Sequence, residues 1–314
     1  MIVLIIVGLI LVLFVAARFY LRHWARFFTD AVLQRQNQWY LEEGHHLLNP
    51  DWQAGEFTPQ EEAFWLLGKT WRCTTADDLE LKAKAFVQPS KTWVICVHGY
   101  RSNGFQDMSD VAAYYYQKGY SVLVPDLRAH GQSQGEIIGL GWLDRLDLIE
   151  WIQQVLTKEP EADILLHGGS MGAAAVLMAS GEKLPGNVKG LIADSSYTSV
   201  YSEFYWMLQR LTKYPVKRFM VLANSYAKKI AGYSLRQASV TRQLGSNHLP
   251  VLFLQGATDQ FVPVKETATL MEATAGEKIL KIFDNAGHLQ AKELYPEEYW
   301  QTIEDFITDY LEIS

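Results

Sequence analysis

Residues 163–181 read DILLHGGSMGAAAVLMASG, and this stretch decides the fold. Its opening, 163–167, is short and largely apolar, as a strand is when helices cover both of its faces. Its end, 171–181, is a small-residue helical pattern. Between them stands Gly168-Gly169-Ser170-Met171-Gly172, a G-x-S-x-G motif. Alone, such a motif is one more glycine-rich turn of an α/β protein. Between a strand and a helix it has a mechanical meaning: the turn is so sharp that the serine is strained, and the glycines avoid clashes with neighbouring backbone. Ser170 is therefore expected to stand above the edge of a sheet.

Working outward, seven further β-rich runs lie at 70–75, 79–87, 93–97, 121–125, 188–193, 251–255 and 278–283. Helical patterns at about 106–118, 142–157, 171–181, 264–274 and 297–312 separate most of them, which predicts a mostly parallel eight-stranded sheet with crossover helices on both faces. The first two runs are joined only by Ala76-Asp77-Asp78, so they should form an antiparallel hairpin at the edge. Thr58-Pro59-Gln60-Glu61 is a capping box that starts a short helix, with Gly68 as its stop. Almost 60 residues separate the strand ending near 193 from the one starting at 251, too many for a plain connection. The segment there carries Arg210, Lys213, Lys217, Arg218, Lys228, Lys229, Arg236 and Arg242 against only Glu203. It reads as a basic helical cap inserted at about 200–246, with a break at Pro215.

A serine hydroxyl is a poor nucleophile unless a base lies within hydrogen-bond reach, itself oriented by an acid. Asp259, in GATDQFVP, and His288, in NAGHL, each follow the carboxyl end of a strand, where open α/β sheets bring side chains together. Their chain order, serine then aspartate then histidine, fits this architecture. Asp194 also follows a strand and is the competing acid, but lacks the G-x-x-D-x-x-V-P setting of Asp259. Ser195 and Ser196 sit in no elbow. For an oxyanion, the backbone N–H groups of Met171 and of Tyr100, in the loop His98-Gly99-Tyr100, are the candidate donors. His98 reads as a residue that holds this loop.

The 314 residues carry 28 Lys and Arg against 35 Asp and Glu, a net charge of −7, so nucleic acid is excluded as the main partner. Apolar residues make up 49% and charged ones 20%, which excludes a disordered or fibrous chain. Cys73 and Cys96 read as reduced thiols inside strands. The His45-His46 pair has no neighbouring cluster with ligand spacing, and neither a metal nor a cofactor is expected. Residues 1–17, MIVLIIVGLILVLFVAA, contain no polar side chain. Extended to Leu21 the run is long enough to span a bilayer, the alternative being a signal peptide cleaved near Ala17. Arg18, Arg22 and Arg26 follow the run with no basic residue before it, which places the body on the cytoplasmic side of a single-pass protein; secretion or an extracellular location follows from the cleaved alternative. The division expected is an anchor at 1–21, a weakly periodic connector with one short helix at 22–69, and a catalytic domain at 70–314 that is complete without the anchor.

Taken jointly, VHGY, PDLRAHGQS at 125–133, GGSMG, GATDQFVP and AGH resemble the α/β-hydrolase superfamily, in particular bacterial membrane-anchored serine hydrolases of its esterase and lipase-like branch. The resemblance covers roughly residues 70–312. It implies Ser170 as nucleophile, Asp259 and His288 as its relay, and an oxyanion hole from Tyr100 and Met171. Asp126, Arg128 and His130 resemble the family's structural turn and receive no chemistry. The implied reaction is hydrolysis of carboxylic esters through an acyl-enzyme, with a small-molecule ester or acyl substrate. Peptidase or aminopeptidase, thioesterase, acyltransferase and a catalytically silent binding module are the alternatives. Tyr197, Tyr201, Phe204, Tyr205 and Trp206 are candidates for a substrate pocket, or for packing of the cap on the core.

Overall fold

A computed structural model describes residues 1–44, 57–212 and 216–310. The His45-His46 pair, Lys213 and Pro215 lie outside the described residues. Eight strands form one sheet in the order β1-β2-β4-β3-β5-β6-β7-β8. They are β1 (Lys69–Thr74), β2 (Glu80–Phe86), β3 (Thr92–Val97), β4 (Ser121–Pro125), β5 (Asp163–Gly169), β6 (Val188–Asp194), β7 (Val251–Gly256) and β8 (Lys278–Phe283). β1 pairs antiparallel with β2, and β2 antiparallel with β4; every later pairing is parallel. The opening hairpin thus lies on one edge, as its tight turn requires.

Strand β3 shows why the sheet needs helices on both sides. All six of its residues are buried, and they alternate: Trp93, Ile95 and Val97 join one hydrophobic core, Val94 and Cys96 the other. Helices α3 (Gly104–Gln117) and α11 (Pro296–Tyr310) cover the second face. The first face is covered by α4 (Asp144–Lys158) and α5 (Met171–Ala179). Every residue of α5 is buried, and its sequence MGAAAVLMA is wholly apolar and rich in alanine. Helix α2 (Pro59–Leu67) starts on the expected capping box, with Thr58 and Glu61 each bonded to the other's backbone, and stops at Gly68.

Between β6 and β7 lie α6 (Val200–Leu211), α7 (Val216–Ala231) and α8 (Val240–Leu244), the helices of the expected insertion. After β7 come α9 (Val264–Ala273) and, after β8, the single turn α10 (Ala291–Leu294).

The N-terminal region corrects the expectation. Helix α1 does not end near Leu21 in a loose connector but runs unbroken from Ile2 to Leu33. Its first part is exposed and long and apolar enough to cross a membrane. Its end is buried: Ala25, Phe28, Thr29 and Val32 repeat at helical spacing on one side. Phe28 packs edge-on against Phe204 of α6 (5.6 Å) and Phe219 of α7 (5.5 Å). Phe28, Val32, Leu33 and Tyr40, which opens a short π-helical turn, belong to the first core. The end of α1 and Tyr40 therefore pack into the body, where a weakly periodic connector was expected. The polar His23, Arg26 and Asp30 on the other side break the hydropathy of the segment while leaving its helical period intact.

Candidate active site

Ser170 stands at the sharp turn between β5 and α5 with φ 55° and ψ −117°. A non-glycine residue in that region costs on the order of 1–3 kcal/mol and persists only where the surroundings impose it. They do so here: the Ser170 N–H donates to the Asp194 carbonyl on β6 (2.8 Å). A Cβ on Gly172 would lie 2.0 Å from the Val97 carbonyl oxygen, so only glycine lets α5 start this close to β3.

Two further loops meet the serine. The Ser170 hydroxyl lies 2.9 Å from His288 Nε2, and His288 Nδ1 lies 2.8 Å from Asp259 Oδ2. Asp259 is buried, and its Oδ1 accepts from the N–H groups of Phe261 and Val262, both at 2.8 Å. Gln255, at the end of β7, donates to Asp259 Oδ2 (3.1 Å) and accepts from Thr267 (2.8 Å). Both oxygens of Asp259 accept hydrogen bonds, so His288 carries its proton on Nδ1, and Nε2 faces Ser170 as an acceptor. The loops that carry Asp259 and His288 are tied directly, through Thr258 N–H (3.0 Å) and Thr258 Oγ1 (2.9 Å) to the Ala286 carbonyl. A side chain on Gly256 would fall 2.3 Å from that same carbonyl oxygen.

The loop after β3 closes the other side. A Cβ on Gly99 would lie 3.5 Å from Ser170 Cβ. His98 Nε2 accepts from the Leu127 N–H (2.9 Å), so its Nδ1 carries the proton and donates to the Gly99 carbonyl (2.8 Å). The histidine is thereby occupied on both nitrogens. Because the peptide is trans, fixing the Gly99 carbonyl toward His98 turns the Tyr100 N–H the opposite way. Gly99 N–H donates to Asp107 Oδ2 (2.8 Å). Met171 is the first residue of α5, so its N–H has no acceptor within the helix.

The competing acid is placed elsewhere. Asp194 accepts from Ser195 Oγ (2.9 Å) and Tyr299 Oη (3.0 Å), and burial pushes its carboxyl above the usual range. Asp126 accepts from the backbone of Gly104 (2.9 Å) and Gln132 (2.8 Å). Arg128 pairs with Asp77 and Asp147, and His130 Nε2 accepts from Arg101 N–H. All three hold the turn after β4.

Of the pocket candidates, Tyr197 and Phe204 are buried packing residues, Tyr197 donating to the Leu140 carbonyl (3.0 Å) and Phe204 facing Phe28. Tyr201, Tyr205 and Trp206 are half-buried on α6. Arg236 lies over the Tyr201 ring at 4.4 Å and Lys265 over Trp206 at 4.1 Å. A cavity between α2, β2 and the start of α3, lined by Trp65, Lys82, Phe105 and Asp126 among others, contains neither Ser170 nor His288. Reading residues missed Gln255 and Asp107; a glutamine closing the apolar run VLFLQ was the available signal for the first.

Comparison with known proteins bears on the fold. Residues 88–231 match a family described as serine aminopeptidase, S33. The chain is 27% identical over 217 residues to the uncharacterized protein YqkD of Bacillus subtilis, covering 69% of this chain and 70% of that protein. It is 26% identical over 205 residues to the human monoglyceride lipase, covering 55% and 67%. A structure of the Pyrococcus furiosus esterase Pf2001 superimposes with a TM-score of 0.66 at 25% identity, covering 82% of this chain and 95% of that one. Sheet order, elbow and the superposition on solved structures give the chain the α/β-hydrolase fold.

Proposed function

We propose that this chain is a membrane-attached serine hydrolase that cleaves carboxylic esters. The observation that carries the proposal is the continuous relay from Ser170 to His288 to Asp259 at 2.9 and 2.8 Å. In the proposed reaction His288 Nε2 takes the Ser170 proton as Oγ attacks the substrate carbonyl. The oxyanion is met by the N–H groups of Met171 and Tyr100. The resulting imidazolium, stabilised by Asp259, returns its proton to the leaving alkoxide, and an acyl-serine remains. Water, deprotonated by the same histidine, then releases the acid and frees Ser170. Half-buried Tyr201, Tyr205 and Trp206 are the proposed contacts of the acyl group.

The family description favours a second reading, an aminopeptidase. Such an enzyme needs an anion to hold the free amine of its substrate, and the cap supplies Glu203. That side chain is buried, and burial first, then the nearby Glu266 and Asp259, push its carboxyl well above the ordinary range. A carboxyl that is buried and disfavoured as an anion is a poor partner for an ammonium group, which supports the ester. A panel of p-nitrophenyl esters of increasing chain length beside aminoacyl-anilides tests this: turnover confined to esters is expected, and faster turnover of the anilides would replace the esterase with a peptidase.

We further propose residues 1–21 as the anchor, residues 70–314 as the hydrolase domain with its insertion at about 200–246, and the intervening end of α1 as a bridge docked on the body. The basic residues that follow the apolar run support a cytoplasmic body. Cleavage near Ala17 would leave residues 25–33 of the helix docked. Mass analysis of the purified chain distinguishes the two: Met1 retained is expected, and a mature terminus near Arg18 would mark a signal peptide.

A further inference from the structure

The last carbonyls of an α-helix have no donor within the helix and carry the negative end of its dipole. At the end of α1 these carbonyls are taken by the loop after β3. Tyr100 Oη donates to the Val32 carbonyl (2.8 Å). The Arg101 guanidinium donates to Ala31 (2.7 Å), Gln34 (2.8 Å) and Arg35 (3.1 Å). Its Nε also donates to Tyr100 Oη (3.0 Å), and its charge lies 3.8 Å from the centre of the Tyr40 ring. The Arg101 backbone is in the left-handed region, with φ 55°, and its N–H donates to His130 Nε2 (3.0 Å). Two consecutive residues therefore tie the end of the apolar helix to the peptide that follows Gly99.

We propose that Arg101 is a positioning residue, and that the end of α1 is what it uses: clamped by the guanidinium and the Tyr100 hydroxyl, the helix holds the Tyr100 backbone N–H where the oxyanion forms. His98 fixes the same peptide from its carbonyl side. This inference rests on Ser170 as nucleophile and Tyr100 as oxyanion donor. An oxyanion donor acts on the transition state more than on the bound ester, so loosening it lowers kcat and leaves KM in place. The apolar helix is then a working part of the enzyme as well as a tether.

The test uses the full-length protein in detergent micelles with p-nitrophenyl butyrate. Arg101→Ala is expected to lower kcat by roughly ten- to a hundredfold, with KM within about twofold of wild type, short of the complete loss of an oxyanion donor. Millimolar guanidinium is expected to restore part of kcat in this variant and none in wild type, which a merely structural role would not produce. A folded Arg101→Ala enzyme with wild-type kcat overturns the proposal, as does a loss that appears wholly in KM. If Arg101→Ala does not fold, Arg101→Lys and Tyr100→Phe decide: a fall in kcat of about three- to tenfold in either supports the clamp, and wild-type kcat in both overturns it. Ser170→Ala is assayed alongside. Activity there removes the nucleophile assignment and this inference with it, whereas an inactive Ser170→Ala beside a fully active Arg101→Ala overturns the inference alone.

Discussion

At Asp259 three protein donors and one imidazole converge on a single buried carboxylate, whereas Asp194 is engaged by Ser195 and Tyr299. The two aspartates therefore predict different mutant behaviour. Asp259→Asn, which spoils the tautomer His288 needs, is expected to lower kcat by about a thousandfold or more with the fold intact. Asp194→Asn is expected to keep turnover and lose only about 1 kcal/mol of stability. Ester kinetics and thermal melts of both variants check this, and the reverse pattern would make Asp194 the acid. Ser170, Asp259 and His288 were legible because each sits in a short local pattern at a strand end. Arg101 was not, because its role exists only once the end of α1 and the residues just after it, 66 positions away in the case of Arg35, arrive beside it.

Among the elements, α6 carries the least comfortable side chain. Neither oxygen of Glu203 has a hydrogen-bond partner among the described residues. Its folded pKa lies well above the ordinary 4.5 for burial and for the repulsion of Glu266 and Asp259. Folded protein thus keeps a proton that the unfolded chain gives up, so this group lowers stability progressively as pH rises above that ordinary value. Glu203→Met is expected to raise stability at pH 8 by at least about 1 kcal/mol, and by less at pH 5. Thermal melts at the two pH values measure it, and an equal gain at both would mean that ionisation is not involved. The eight strands and the helices of the sheet were legible from apolar runs and their spacing. The second half of α1 was not, because hydropathy fades after Leu21 while the burial at 25, 28, 29 and 32 follows helical period.

For the molecule as a whole, the unbroken helix limits how far the body can stand from a bilayer. From Arg18, where the apolar run ends, to Ala25, the first buried residue, there are seven residues, about 10 Å of helix. On the proposed anchoring, this continuous helix holds the candidate site near the lipid surface, with the exposed Lys217, Arg218, Lys228 and Lys229 of α7 on the helix that packs beside α1. The protein is expected to sediment with membranes, to resist extraction by high salt and to be released by detergent. Recovery of the intact chain in the soluble fraction would contradict the anchor. What hydropathy alone marks as an appendage is, in three dimensions, continuous with a helix end that packs into the core and against Tyr100 and Arg101.

The central claim is that Ser170 is an activated nucleophile. Its most direct measurement is covalent labelling of full-length protein by a fluorophosphonate, with the modified residue identified by mass spectrometry. One adduct is expected, on Ser170, lost in Ser170→Ala and strongly slowed in His288→Ala. A wild-type protein that remains unlabelled, or a Ser170→Ala variant that labels and hydrolyses esters as before, would contradict it.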